Sequence, residues 1–484
     1  MVTAAELADA IGALHLSRFH IAQWLCAGVL VFIANGAVGA SLPWIELDLR
    51  ARLELTPLAE SLILVAAPFG AFVGALASGA LSDRFGRRRI LLLALTILGA
   101  AHASIGVAPS PGALVVLLWL RYFAYGQPEG IAKTLLAEIL PARRRGLLLN
   151  LVHPIWQLGG IALALTTTWD AEADSMRVLG TPVTGGQLAF ASALPAFVAL
   201  LAVAIGVRES PLFTLHARGP ASAVLAFQAL CKRCGAPTPT LPGAASGTTE
   251  MVAPAAEGDS IGMLSNGKSR GACCGCGAAR PPAGGSWRRL WTPALRRRTC
   301  VVLAVWFFLA MPYESTDFFF IRYLHDAGRA NLMQPVARAQ YAAKTLGGTF
   351  GALVVDCIGR RRLLVPTFAI ASAATFGLYF APTDGGGGAL LAVVGAYYSA
   401  TEIVWSTLKT FTVELFPTEA RGKAIGACTG VGFVGSSCAL FVGPLLMAYA
   451  HPALPFLLNA IMLACGAVLI CALARETARA ALAE

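Results

Sequence analysis

Long apolar segments dominate this sequence and constrain its fold more than any other feature. A helix that crosses a bilayer needs about 20 mostly apolar residues. Twelve segments have this character, and they lie at about 21–45, 61–82, 88–108, 113–137, 146–168, 187–207, 299–321, 337–355, 363–381, 389–412, 423–449 and 453–474. The sequence therefore predicts an all-α membrane protein with six helices on each side of a polar interval at about 208–298.

The composition agrees with a membrane protein. Of the 484 residues, 57% are hydrophobic and 13% are charged, whereas a soluble protein has about a quarter charged residues. The net charge of +11 does not indicate nucleic-acid binding, because the basic residues lie beside apolar segments and not on a soluble domain. Most cysteines, such as Cys428 and Cys465, lie inside apolar segments, where cysteine packs as a small hydrophobic residue. No disulfide framework is predicted.

The basic residues predict an orientation. Arginine clusters follow the second, fourth, eighth and tenth segments and precede the seventh: Arg84, Arg87, Arg88, Arg89, Arg143, Arg144, Arg145, Arg360, Arg361, Arg362, Arg421, Arg296, Arg297 and Arg298. If the segments alternate in direction, these clusters share one face, which the positive-inside rule places in the cytoplasm. Both termini (1–20 and 475–484) and the interval 208–298 are then cytoplasmic. Exceptions on the opposite face are Arg50, Arg52, Arg322 and Arg329.

The N-terminus and the central interval have distinct expectations. The first residues include Glu6, Asp9 and Arg18, which suit a short helix at the membrane surface better than a cleavable signal peptide. The interval is of low complexity and predicts a partly disordered cytoplasmic linker. Its cysteines admit a zinc site or lipidation as alternatives to no specific role, which we favour: Cys231, Cys234, Cys273, Cys274 and Cys276. No metal or cofactor is predicted.

Two phrases recur at matching places in the two halves. DRFGRRR at 83–89 matches DCIGRRR at 356–362, and residues 133–146 match 409–422 at nearly the same offset. The second phrase contains Glu138 or Glu414, then a proline, then Arg145 or Arg421. Such a repeat predicts two similar six-helix bundles related by an axis along the membrane normal, as in many secondary transporters.

These motifs resemble those of the major facilitator superfamily, over nearly the whole chain outside the central interval. VRESPLF at 207–213 and RETARAAL near the end are partly similar to phrases of sugar porters, whereas residues 6–25 look more like synaptic-vesicle-2-related proteins and organic-ion transporters. The resemblance implies the major facilitator fold, with twelve transmembrane helices in two pseudo-symmetric six-helix bundles, 21–207 and 299–474.

The resemblance also implies a gating role for the repeated motifs. In the family, the acid at Asp83 holds the start of the eleventh helix, near Gly422, when the cytoplasmic side is closed, and Asp356 mirrors it near Gly146. We also expect a charge network within each half. The candidate gating residues are Asp83, Arg84, Gly86, Arg87, Arg88, Glu138, Arg145, Asp356, Gly359, Arg360, Arg361, Glu414 and Arg421. Topology signals or unrelated surface ion pairs are the simpler alternatives.

Polar residues inside the predicted helices are candidates for solute binding or proton coupling, because burying them in a membrane is costly. The resemblance implies that helices one, four, seven and ten line the cavity. The candidates are Asn35, Arg121, Gln127, Glu129, His153, Gln157, Tyr313, Glu314, Asp317, Tyr398, Glu402 and Trp405.

The seventh predicted helix is the most informative of these. Pro312 interrupts its hydrogen-bond ladder, so the backbone can bend there. Glu314 and Asp317 are three residues apart and share a face. Two neighbouring acids in a poorly hydrated cavity favour binding of a proton and would equally suit a cationic solute. Alternatively, Glu314 pairs with Arg121, and Asp317 reaches the outer interface.

Two departures from the family pattern limit what can be carried over. Asn35 stands where the organic-ion branch has an acid, and the spacing from Arg121 to Glu138 is shorter than expected, with Tyr125 and Gly126 in place of the usual glycine series. The sequence predicts a monomeric secondary transporter that moves a small polar or ionic organic solute by alternating access, with or without protons, in a plasma or organellar membrane. A carrier-like sensor or scaffold is the alternative. An intramembrane enzyme is disfavoured, because HExxH and GxSxG motifs are absent.

Overall fold

The computed structural model describes residues 3–170, 172–173, 175–237, 287–380, 387–416 and 418–473, with the backbone alone at 150, 153, 287, 289, 356, 413 and 418–422. Ten helices in these ranges are long and apolar enough to cross a membrane. Two further crossings are made by a broken helix in the first half and by a helix in the second half that carries Arg338, Gln340 and Lys344. The twelve-helix prediction is confirmed.

The described residues of the first half form nine α-helices. They are α1, Ala4–Gly12; α2, Arg18–Gln23, which continues through a π-helical turn, Trp24–Val29, into α3, Leu30–Arg52; α4, Pro57–Phe85; α5, Arg87–Ile105; α6, Pro111–Tyr125; α7, Pro128–Ile139; α8, Ala142–Thr166; and α9, Gly185–Gly206.

Two short helices follow, and then the second half. The described elements are α10, Pro211–Arg218; α11, Pro220–Cys234; a 3-10 turn, Trp287–Trp291; α12, Arg296–Asp326; α13, Ala330–Ile358; α14, Arg360–Tyr379; α15, Gly387–Leu415; α16, Thr418–Tyr449; and α17, Leu454–Leu473.

A three-stranded antiparallel sheet joins α8 to α9, which the sequence did not predict. Its strands are β1, Thr167–Asp170; β2, Ser175–Val178; and β3, Thr181–Val183. Leu179 and Gly180, both at positive φ, form the two-residue turn that matches the twist of paired strands. We call this end of the molecule the hairpin face. The opposite end, where α4 meets α5 and α13 meets α14, is the basic face.

The repeated glycines make the tightest connections in the fold. Gly86, with φ of 106°, alone separates α4 from α5, and Gly359, with φ of 100°, alone separates α13 from α14. Glycine reaches this region because it has no Cβ atom. The two connections are therefore structurally equivalent, as the repeat predicts.

The fourth crossing is not the continuous helix expected over 113–137. It breaks between Tyr125 and Pro128. Pro128 has no N–H group, and its ring would collide with the carbonyl one turn earlier in a continuous helix. Pro128 instead occupies the first turn of α7, where an N–H group has no helical partner in any case.

Both halves pack in one pattern. In the first half, the α2–α3 crossing packs on α8 and α9, α4 packs on α6, and α5 packs on α6 and α9. The second half repeats these contacts six crossings later: α12 packs on α16 and α17, α13 on α15, and α14 on α15 and α17. The halves meet along α4 with α16 and α8 with α13, two pairs that the pseudo-symmetry exchanges.

The interval expected as a linker begins with ordered helices. α10 and α11 pack on each other and on α1, α2 and α7. Leu7, Ile11 and Phe227 are buried there, so α1 packs on the bundle, and its expected place at the membrane surface stays a prediction. The disorder expected within 208–298, and the cysteines at 273–276, fall on residues 238–286, outside the described ranges, as does the tail 475–484.

Candidate functional site

A buried carboxylate joins the two halves near the middle of the membrane. Glu402 on α15 accepts hydrogen bonds from the Tyr313 hydroxyl at 2.7 Å and from Gln157 Nε2 of the first half at 3.2 Å. The Trp405 ring packs edge-on against Tyr313, with centroids 5.7 Å apart. Trp405 Nε1 and Gln157 Oε1 are buried without a hydrogen-bond partner among the described residues. They are donors and acceptors available to a solute.

A buried lysine lies beside this cluster in the second half. Lys344 is 0% exposed and forms an ion pair with Asp317, which also accepts a hydrogen bond from Gln340 Nε2 at 2.5 Å. The ammonium group lies 4.9–5.1 Å from three ring centroids, those of Tyr313, Tyr341 and Tyr398. Aromatic faces attract a cation at this distance, so the pair and the cage stabilise Lys344 together.

The buried cation of the first half is held differently. Arg121 Nε donates to His102 Nδ1 at 3.0 Å and Nη2 donates to the Val38 carbonyl at 2.7 Å. His102 Nδ1 therefore accepts, which identifies a neutral ring. Arg121 Nη1 is buried without an acceptor among the described residues. The guanidinium lies 4.4 and 5.7 Å from the ring centroids of Tyr122 and Tyr125.

Glu314 is partly exposed at mid-span. It has no hydrogen bond or ion pair among the described residues. Asp317, Lys344 and, from the other half, Arg121 lie within electrostatic range of its carboxyl group. Glu314 does not pair with Arg121 among the described contacts, so that structural pairing is wrong. Asp317 contacts Lys344 inside the bundle instead of reaching the outer interface, so that alternative location is wrong too.

Four predicted candidates stand apart from this cluster. Asn35 is buried with Oδ1 unpartnered. Gln127 donates to a carbonyl one turn earlier on its own chain. Glu129 pairs with Lys133 at 2.5 Å on α7, closer to the basic face. The side chain of His153 lies outside the described residues.

On the basic face, an arginine links each repeated loop to the glutamate of the second repeated phrase. Arg87 Nη2 lies 2.9 Å from Asp83 and 3.1 Å from Glu138. In the second half, Arg360 Nη2 lies 2.7 Å from Glu414. The structure thus places the same ion pair in each half.

The neighbouring arginines are equivalent too, and bond to backbone. Arg88 Nη2 donates to the Ala204 carbonyl and Arg361 Nη2 to the Cys471 carbonyl, both at 2.6 Å. Arg84 lies over the Phe85 ring, with its guanidinium carbon 5.2 Å from the centroid.

Two details differ from the expected gating network. Arg145 donates to the Leu140 carbonyl and not to Glu138. The side chain of Asp83 is 71% exposed, and its ion pair is with Arg87 on the same connection, so among the described side chains it does not hold the start of α16. The side chains of Asp356 and Arg421 lie outside the described residues.

Glu209 caps the first of these loops. Its carboxylate accepts hydrogen bonds from the backbone N–H groups of Arg87 at 3.0 Å and Arg88 at 3.1 Å, at the N-terminus of α5. An anion there is stabilised by unpaired N–H groups and the helix dipole. Burial raises the pKa of Glu209 above its ordinary value, although these backbone hydrogen bonds oppose the shift.

At the hairpin face, a second set of ion pairs joins the halves. Arg322 of α12 pairs with Glu60 of α4, and its Nη1 lies 3.8 Å from Glu46 Oε1 of α3. Arg50 Nη1 lies 3.5 Å from Asp326 Oδ2. These contacts explain two of the arginines that departed from the positive-inside pattern, because each is paired with acids.

The strongest candidate groups that the sequence analysis did not select were Lys344, Arg322, Glu46 and Glu60. Lys344 and Arg322 are ionisable residues in or beside predicted helices, so the rule that selected Glu314 could have found them. Glu46 and Glu60 lie one residue outside the predicted segments 21–45 and 61–82, which concealed their burial.

A family model described as "Sugar (and other) transporter" matches residues 50–484. The chain belongs to this family. It is accordingly a multi-pass membrane protein that transports small solutes and is not an enzyme, and the sensor or scaffold alternative is not favoured.

Two relatives and one solved structure illustrate the likeness. The putative transporter svop-1 of Caenorhabditis elegans is 23% identical over 454 residues, 90% of this chain and 78% of the relative. The niacin transporter NiaP of Acinetobacter baylyi is 23% identical over 98% of both chains. A crystal structure of a D-xylose-proton symporter superposes with a TM-score of 0.67 at 17% identity, over 96% of this chain and 99% of the other, which confirms the fold.

Proposed function

We propose that this transporter carries a small organic anion, an aromatic carboxylate, together with a proton. The niacin transporter, similar over its whole length, carries a solute of this chemistry, since niacin is a carboxylate on an aromatic ring. The solved symporter of the same fold is proton-coupled by its title.

The observation that carries the proposal is the unfilled hydrogen-bonding capacity of Arg121. A buried donor without an acceptor is costly, and a guanidinium is shaped to bind a carboxylate. Tyr122 and Tyr125 beside it offer aromatic surface for a ring. Trp405 Nε1 from the second half and Gln157 Oε1 from the first half supply further polar contacts.

A charge argument supports the proton. Lys344 is already paired with Asp317, whereas Arg121 has only neutral hydrogen-bond partners and Glu314 forms no ion pair among the described residues. When an anion binds Arg121, an ionised Glu314 would leave an excess negative charge in a poorly hydrated site. A proton on Glu314 removes that excess, so anion and proton bind together.

The contacts at the two ends support an orientation and a state. The arginine-rich basic face is proposed to be cytoplasmic, with both termini there. Ion pairs close the hairpin face between the halves, while Asp83 on the basic face is exposed. We assign the structure to the inward-facing state, with the repeated Asp–Arg–Glu motifs as the cytoplasmic gate. A monomer in a plasma or organellar membrane stays a prediction.

The test is uptake of radiolabelled nicotinate into liposomes that contain the purified protein, with and without an inside-alkaline pH gradient. We expect the gradient to accelerate wild-type uptake. Glu314→Gln should abolish the acceleration but leave exchange of nicotinate across the membrane. Arg121→Met should reduce uptake ten- to a hundredfold, because a hydrogen bond to a charged group contributes about 1.5–3 kcal/mol.

Asp170→Asn is the matched control, since it removes an acid that pairs with Arg177 outside the membrane. It should behave as wild type. If the wild type takes up xylose or an organic cation but not nicotinate, the anion proposal is wrong. If Glu314→Gln keeps the full response to the gradient, the proton is carried elsewhere.

A further inference from the structure

The contacts at the hairpin face place two acids against one nitrogen. Arg322 is 1% exposed, and its Nη1 forms the ion pair with Glu60 and lies 3.8 Å from Glu46. Glu46 and Glu60 are 5% and 1% exposed. They line a small cavity whose other walls are seven leucine and isoleucine side chains. Water and dipoles that could stabilise a second negative charge are therefore scarce.

The hydrogen bonds of this pair are incomplete. Both carboxyl oxygens of Glu46, and Oε2 of Glu60, are buried without a hydrogen bond among the described residues, and guanidinium nitrogens approach Glu46 Oε1 and Glu60 Oε2 only to 3.8 and 3.7 Å. An ionised carboxylate in such a place is very unfavourable, because each oxygen loses its hydration without replacement. Two neighbouring carboxyl groups avoid the cost when one of them keeps its proton.

The charges around the pair do not remove the imbalance. From α3, Arg50 Nε lies 3.7 Å from Glu60 and Nη1 lies 3.5 Å from Asp326. From α12, Asp326 also approaches Arg322 at 3.5 Å and His325 at 3.2 Å, whereas α6 contributes leucines to the cavity. When His325 is neutral, the three carboxyl groups of Glu46, Glu60 and Asp326 face the two guanidinium groups of Arg50 and Arg322. One proton on a carboxyl group then makes the set neutral.

We propose that Glu46 and Glu60 form a proton-binding site that locks the hairpin face, distinct from the mid-membrane acid. One shared proton allows both carboxyl groups to lie against Arg322 of the opposite half. When the halves separate at this face, the acids reach water and the proton leaves.

The consequence for transport follows from linkage and rests on the alternating-access cycle proposed above. The closed state binds the proton more tightly than the open state, so acid on the hairpin side favours closure and a rise in pH favours opening. One proton changes the ratio of closed to open molecules by up to about tenfold per pH unit. The site thus senses pH at the outer gate without moving its proton across the membrane.

The first measurement detects the proton directly. Infrared difference spectra show the C=O stretch of a protonated carboxyl group, which a carboxylate lacks. The parent protein is Glu314→Gln, so that the mid-membrane acid contributes nothing. We expect a protonated-carboxyl band at neutral pH that Glu46→Gln and Glu60→Gln each abolish, since the remaining acid then pairs with Arg322 as a carboxylate.

The second measurement follows the gate in the same parent. Spin labels on non-natural amino acids at Val107 and Tyr449, which are 71% and 74% exposed and belong to opposite halves at this face, report the distance across it. Lowering the pH from 8 to 6 should shift the population towards the short distance. Glu46→Gln should hold the short distance at both pH values, because it mimics the protonated acid.

Asp48→Asn is the matched control, because Asp48 lies on α3 beside Gly185, whereas the described ion pairs of Arg322 are with Glu46, Glu60 and Asp326. It should keep both the band and the pH response. The proposal is wrong if the protonated-carboxyl band is unchanged in both glutamine variants. It is also wrong if the distance between the two spin labels in the parent protein does not change with pH. Neither readout requires transport. The outcome of this test therefore does not depend on whether the protein takes up nicotinate.

Discussion

The two halves are alike at the basic face and unlike in the middle of the membrane. Arg87 with Glu138 repeats as Arg360 with Glu414. At mid-membrane the symmetry fails, because the first half holds Arg121 with neutral partners and the second half holds an acid–base pair in an aromatic cage. The repeated sequence phrases therefore preserve one ion pair in both halves, whereas the residues at mid-membrane have diverged.

The largest expected effect tests the middle. Lys344→Met leaves the Asp317 carboxylate without its cationic partner and should lower the free energy of unfolding by about 3 kcal/mol. This is the low end of the cost for a broken buried ion pair, because the Asp317 side chain is 25% exposed. The double variant Lys344→Met/Asp317→Asn should recover most of the loss. Arg121→Met in the first half should cost less, because no acid is stranded. Equilibrium unfolding in detergent measures all three.

If Arg121→Met destabilises the fold as much as Lys344→Met, the two buried cations are not held differently and the contrast drawn above is wrong. If the double variant is no more stable than the single one, Asp317 depends on partners other than Lys344.

A smaller effect tests whether the helix packing is as symmetric as the contacts imply. A Cβ atom at Gly74 would lie 2.0 Å from the Phe123 carbonyl oxygen, and one at Gly347 would lie 2.4 Å from that of Ser399. Gly74→Ala and Gly347→Ala should each cost about 1–3 kcal/mol of stability by forcing α4 from α6 and α13 from α15.

Gly79→Ala is the control on α4, because nothing lies within 4 Å of the added atom, and it should be neutral or slightly stabilising through helix propensity. A large loss for one packing variant and none for the other would break the equivalence of the halves. Thermal unfolding of the three purified variants decides between these results.

The smallest effect tests the basic face itself. Glu138→Gln and Glu414→Gln each remove one partner of a partly exposed ion pair and should each cost up to about 1 kcal/mol of stability. The costs should match, because the pairs are equivalent. Double-mutant cycles with Arg87→Ala and Arg360→Ala measure each coupling, and couplings of opposite sign would contradict the symmetry.

The sequence predicted the helices because their signals are local. Length and hydropathy identified twelve crossings, and the copy of 83–89 at 356–362 identified two related halves. The break at Pro128 was missed because hydropathy continues across it. The ordered helices α10 and α11 were missed because, at 8 and 15 residues, they are too short to be selected as membrane crossings.

The candidate site was recovered in part. Glu402, Tyr313, Gln157 and Trp405 were all selected as polar residues in predicted helices, and packing brings them together. The partner of Asp317 could not be predicted from the sequence of α12. Lys344 lies on α13, and only the packing of the two helices sets the distance between Lys344 and Asp317.

Local pattern therefore determined which segments cross the membrane, which face carries the arginines and which glycines turn the chain. Tertiary structure decided which charges meet. Glu46 and Glu60 lie just outside the predicted apolar segments, yet the fold buries both against Arg322, which lies 262 residues after Glu60 in the chain. The reason is physical: the cost of burying a charge depends on its neighbours in space, and a sequence records only neighbours along the chain.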